Sequence, residues 1–102
     1  MTTEQIAFKI ISLSGDAKAE LQKALNFAHK QNFAKAQEQI DLATPKLLEA
    51  HELQTKELLT REANGEKLDF NVLISHAQDY LMTTYTFKDT VIEIINLYKL
   101  IK

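Results

Sequence analysis

The stretch LISHAQDYLMTTYTFKDTVIEIINLY, residues 73–98, decides the fold. Within it Leu73, Ala77, Leu81, Thr84, Val91, Ile95 and Tyr98 recur at steps of three and four, or their sum, which is the spacing of one face of an α-helix. The run predicts a helix over about 70–100, some 45 Å long at about 1.5 Å per residue. A second stripe, His76, Asp79, Thr83, Thr86 and Thr90, follows the same period on another face. It is too polar for an ordinary core and too rich in threonine for an ordinary charged exterior, so it reads as an oligomer seam or a reactive face.

Working outward, two more helices pair with the first. Thr2 and Gln5 form a capping-box pattern, after which Ile6, Ile10, Leu13, Ala17, Leu21, Ala24 and Ala28 mark a helix over about 3–30. Gly15 lies inside it among Ser12, Ser14, Ala17 and Ala19, small residues that let another helix approach closely. His29-Lys30-Gln31-Asn32 breaks the pattern. Asn32 then caps a run carrying Phe33, Ala36, Ile40, Ala43, Leu47 and Ala50, a helix over about 33–62. Pro45 within it predicts a kink, or a new start capped at Thr44-Pro45. Ala63-Asn64-Gly65-Glu66 supplies the second break, and Asp69 is the expected cap of the last helix. Three amphipathic helices joined by short loops predict an all-α, antiparallel three-helix bundle, with residues 1–102 as a single domain. So long and thin a unit has much surface for its core, which favours self-association.

Composition excludes several classes of function. The net charge is −2 with both signs interspersed, so no basic patch awaits a nucleic-acid backbone. No run approaches the roughly 20 apolar residues of a membrane span, and MTTEQIAFKI lacks the cationic start of a secretory signal, so a cytoplasmic protein is expected. Cysteine is absent. A covalent carrier built from this chain would therefore use histidine, serine or a carboxylate.

His76 is the strongest candidate. A lone helix histidine is most often a half-buried packing residue, yet a neutral imidazole nitrogen is also nucleophilic near physiological pH and can take a phosphoryl group. Asp79 shares its side of the helix, three residues on; a solitary carboxylate there is ordinarily just solvated. His51-Glu52 lacks the second histidine of a zinc-protease helix, because Thr55 stands in its place. His29 suits a helix C-terminus through the helix dipole, and Asp89 and Glu93 read as a solvated face.

The words HAQDYLM, NGEKLDFNVLISHAQDYLMTT and TTYTFKD, with IISLSGDAKAELQKAL and LLEAHELQT earlier in the chain, resemble the lactose/cellobiose-specific IIA component of the sugar phosphotransferase system. The resemblance covers roughly residues 5–99. It implies that His76 is a phosphorylated residue, accepting phosphoryl from the phosphohistidine of the general phosphocarrier protein. It further implies transfer to a cysteine of a cognate IIB, with the membrane component IIC contacted only indirectly and a disaccharide such as lactose, cellobiose or chitobiose as cargo of the whole system. It also implies a homotrimer in which three copies of Asp79 bind one magnesium ion on the threefold axis. Gln78 and Tyr80 are candidates for positioning the phosphate. Tyr80 departs from the family pattern, which commonly has a second histidine there, and a phenol cannot become a cation at neutral pH. A competing reading is a noncatalytic helical adaptor or oligomerisation module whose polar stripe fixes register.

Overall fold

The computed structural model describes residues 1–68 and 71–101. Helix α1 spans Thr3–His29. Helix α2 spans Phe33–Gln54, continues through a π-helical turn at Thr55–Leu59 and ends in the turn Thr60–Ala63. Helix α3 spans Val72–Leu100. The three form one up-down-up bundle measuring 54 × 20 × 19 Å. Because the chain reverses twice, α1 and α3 run in the same direction, and His29 near the end of α1 meets Tyr98 near the end of α3, Nδ1 to Oη at 3.2 Å.

Each end has a local cause. The Thr2 hydroxyl accepts from the Gln5 amide at 3.1 Å while the Gln5 side chain accepts from the Thr2 amide at 2.9 Å, completing the expected capping box. After His29 the chain turns through Gln31 at φ 62°, where the Asn32 amide donates to the Phe27 carbonyl at 2.8 Å. Asn32 then caps α2 by accepting from the Lys35 amide. Pro45 does not split this helix, which runs unbroken from Phe33 to Gln54. Asp69 and Phe70, where the sequence places the cap and first residue of the last helix, lie outside the described residues. The cap that is described is Asn71, whose Oδ1 accepts from the Ile74 amide at 3.0 Å, so α3 begins at Val72.

The π turn was not foreseen. Ala50, Gln54 and Leu58 are all buried and spaced by four, and each step of four overshoots a full helical turn by about 40°. The wider turn at Thr55–Leu59 is compatible with that drift, with Leu58 facing the core.

Every position assigned to the apolar stripes is buried or half-buried, with Ile6, Ile10, Leu21, Leu47, Leu81 and Val91 sealed from solvent. The stripes are wider than the spacing alone indicates: Ala7 and Ile74 are also buried. Thr84 enters the core because its hydroxyl donates to the Tyr80 carbonyl at 2.6 Å, so no polar group is left unmade there. Glu20 is buried on α1 and accepts from Lys46 of α2, joining the two helices through a charged pair.

Candidate functional site

His76, Asp79, Thr83, Thr86 and Thr90 all face solvent in the single chain. The stripe is therefore no part of the bundle core. Each threonine hydroxyl turns back to donate to a main-chain carbonyl one turn earlier: Thr83 to Asp79 at 2.8 Å, Thr86 to Met82 at 3.3 Å and Thr90 to Thr86 at 3.0 Å. That spends the donors on the helix itself and leaves oxygen lone pairs outward. With the Asp79 carboxylate, which forms no ion pair among the described residues, the three threonines present acceptors outward. At its ends the stripe turns apolar, through exposed Val72 and through exposed Leu97 and Ile101.

His76 lies at the border of this stripe and the α1–α3 groove. Its ring stacks on that of Tyr80, one turn further on, with centroids 5.9 Å apart and planes 13° from parallel. Tyr80 is held in turn by α1. A Cβ on Gly15 would stand 3.4 Å from the Tyr80 hydroxyl and 3.7 Å from its ring, so the missing side chain leaves a notch into which the phenol leans. Lys18, one turn beyond Gly15, places its ammonium 5.7 Å from the centre of the same ring. The close crossing expected at Gly15 is thus made by a side chain lying in the notch.

Of the residues singled out from sequence, His76 and Tyr80 are brought into contact, and Asp79 adjoins His76 on the threonine side. Gln78 is half-buried and projects about 200° around the helix from His76, so the two diverge within one chain. Lys18 and Gly15 were not foreseen as part of the site; the one clue was their spacing of three on α1. The other histidines have separate surroundings. His29 packs edge-on against Tyr98, centroids 5.8 Å apart, and His51 edge-on against Tyr85, centroids 5.9 Å apart. The Tyr85 hydroxyl donates to the Leu47 carbonyl at 3.1 Å, tying α3 to α2, and burial holds its phenol above the ordinary range.

Residues 5–99 match the family described as PTS system, lactose/cellobiose-specific IIA subunit. The chain belongs to that family. It is 43% identical over 94 residues to the lactose-specific EIIA component of Lactococcus lactis subsp. lactis, covering 92% of this chain and 89% of the relative. The fold superposes on the cellobiose-specific enzyme IIA of Bacillus anthracis with a TM-score of 0.92 at 44% identity, covering 97% of this chain and 90% of that one. It also superposes on the chitobiose IIA of the Escherichia coli phosphotransferase system, solved in complex with HPr, with a TM-score of 0.82 at 30% identity over 97% of this chain and 95% of that one. As a IIA chain it contains no helix long and apolar enough to cross a membrane among the described residues.

Proposed function

We propose that the protein is a cytoplasmic phosphocarrier in which His76 accepts a phosphoryl group from the phosphohistidine of the general phosphocarrier protein HPr and passes it to a cysteine of a cognate IIB. The observation that carries this reading is an exposed imidazole, in the family's histidine word, set on a rigid helix in a chain whose structural relatives include a IIA solved with HPr. A ring nitrogen of His76 attacks phosphorus as the donor's N–P bond breaks, and the donor imidazole keeps that electron pair. In the second step a cysteine sulfur attacks the same phosphorus and the His76 nitrogen leaves. No water or oxidant is consumed. Such transfer depends on positioning and electrostatics, and the Tyr80 stack supplies the first by restricting the ring's rotation.

The chain carries no membrane span of its own among the described residues, which suits a mobile carrier that reaches IIC only through IIB. The cargo of the system is a disaccharide of the lactose, cellobiose and chitobiose group, in keeping with the names of its relatives.

The exposed face of Asp79 and outward-turned threonine acceptors supports assembly into a homotrimer around α3. The Asp79 carboxylates of three copies would hold a magnesium ion, a hard cation suited to oxygen donors, whose charge offsets their mutual repulsion. Incubation with phosphoenolpyruvate, the general kinase of the system and HPr should add the mass of one phosphoryl group per chain, acid-labile and absent from His76→Ala. No mass gain in the wild type, or full labelling of His76→Ala, defeats the carrier reading in favour of a noncatalytic adaptor.

A further inference from the structure

A phosphoryl group on His76 brings a dianion beside a ring whose one described contact is aromatic. Tyr80, the ring in contact, is a phenol and supplies no cation, and Asp79 adds a carboxylate on the adjoining face. Most of the cations whose contacts are described are occupied elsewhere. Lys9 pairs with Glu49, Lys46 with Glu20, and Arg61 with Glu57 and Glu66. Lys35 and Lys99 lie over Phe27 and Phe33, away from the His76 end of the bundle. Lys18 is different: it is exposed, forms no ion pair among the described residues, and rests against the ring that stacks on His76.

We propose that Lys18 is a positioning residue for the phosphoryl group of His76, its ammonium swinging from the face of Tyr80 onto the phosphoryl oxygens. The inference rests on the carrier reading of His76. A cation held by an aromatic face alone keeps its three N–H donors available, and the interaction is weak enough at an exposed site to be given up when a dianion arrives. Lysine binds phosphate as a compact point charge on a flexible stem. The arrangement has a sequence cause, because residues three apart share a helix face: the Gly15 notch that seats the phenol also sets Lys18 alongside it. Tyr80 thus has two tasks, orienting the imidazole and parking the cation.

The test uses phosphoramidate, which phosphorylates histidine without any partner protein, and follows the phosphoryl resonance by phosphorus NMR as pH is varied. The His76 signal is the one missing from His76→Ala. A nearby cation favours the dianion, so Lys18→Gln should raise the phosphoryl group's second pKa by about half a unit or more, and Lys18→Arg should restore it. Uptake from phosphorylated HPr should slow about tenfold in Lys18→Gln and recover in Lys18→Arg, with the melting temperature unchanged. Identical titrations of wild type and Lys18→Gln overturn the role of Lys18. Labelling by phosphoramidate but not by HPr defeats the carrier reading instead, while the titration still decides on Lys18. A His76 that phosphoramidate cannot label defeats both.

Discussion

Gly15→Ala should stabilise the protein. A glycine inside a helix costs about 1 kcal/mol relative to alanine through the backbone freedom lost on folding. The new methyl would stand 3.4 Å from the Tyr80 hydroxyl and 3.7 Å from the ring. Those are ordinary van der Waals separations, each adding about 0.1–0.2 kcal/mol of attraction. Neither contact is with backbone, so a shift of a few tenths of an ångström is open to the phenol. The expected gain is therefore about 1 kcal/mol, or about 4–8 °C in melting temperature for a domain near 100 residues. Circular dichroism during heating and urea unfolding at fixed protein concentration would measure it, and the urea slope should not change.

Gly15→Leu provides the contrast. Its branched end would occupy the notch that the phenol uses, at an overpacking cost of about 1–3 kcal/mol that consumes the gain in helix propensity. The ring would be pushed off His76, so the His76 imidazole proton shifts should move away from their stacked values. If Gly15→Ala were destabilised by about 1 kcal/mol, or if Gly15→Leu left the His76 shifts in place, the account of Tyr80 seated in the Gly15 notch would be refuted.

Asp79→Leu should keep the proposed trimer and lose any response to magnesium or chelator. Replacing buried charges with apolar groups is often neutral or stabilising by about 1–4 kcal/mol, and sedimentation with and without chelator checks both parts. In the wild type, chelation should lower the melting temperature because a ligand bound only to the assembled state stabilises it. Tyr85 should make stability fall at high pH. Its raised phenol pKa means that the folded chain holds a proton the unfolded chain releases, so this contribution is complete below the ordinary value of about 10 and is lost as pH rises through the folded pKa. Tyr85→Phe should remove that alkaline loss and cost about 1 kcal/mol at neutral pH for the missing bond to the Leu47 carbonyl, read from urea unfolding at several pH values.

The helix stripes were legible in the sequence because burial on an amphipathic helix is a local property. Ala17, Ala24 and Ala28 on α1, or Leu81 and Val91 on α3, announce their core position through spacing alone, whatever they pack against. The polar stripe was legible for the converse reason, that an exposed face keeps the same period with different chemistry. What escaped depended on partners distant in the chain or on small energy differences. Asp69 and Asn71 are both good caps, and a choice between residues of nearly equal capping strength is not written in either letter. The π turn is not announced by the spacings of four at Ala50, Gln54 and Leu58, because Leu13, Ala17 and Leu21 carry the same spacing in regular α-helix. Lys18 and Tyr80 are brought together by the packing of α1 on α3, and no periodicity connects them.

The position of His76 on its helix joins these levels. At 100° per residue, Tyr80 lies about 40° to one side of it and Asp79 about 60° to the other. One side is closed within the chain, by the phenol that leans into the Gly15 notch and carries Lys18. The other is open, a row of acceptors with exposed apolar residues at both ends. His76 therefore stands where a wall built within the chain meets an open face. The groups that orient its ring belong to the fold of a single copy, while the proposed carboxylate seam would be completed by neighbouring copies and an ion. Orientation of the imidazole should consequently survive Asp79→Leu, and assembly should survive Gly15→Leu. On the proposed carrier reading, a helix that keeps these two demands on separate faces can hold tyrosine at position 80 without disturbing the threonine face, with Lys18 of α1 as the cation for the phosphoryl group.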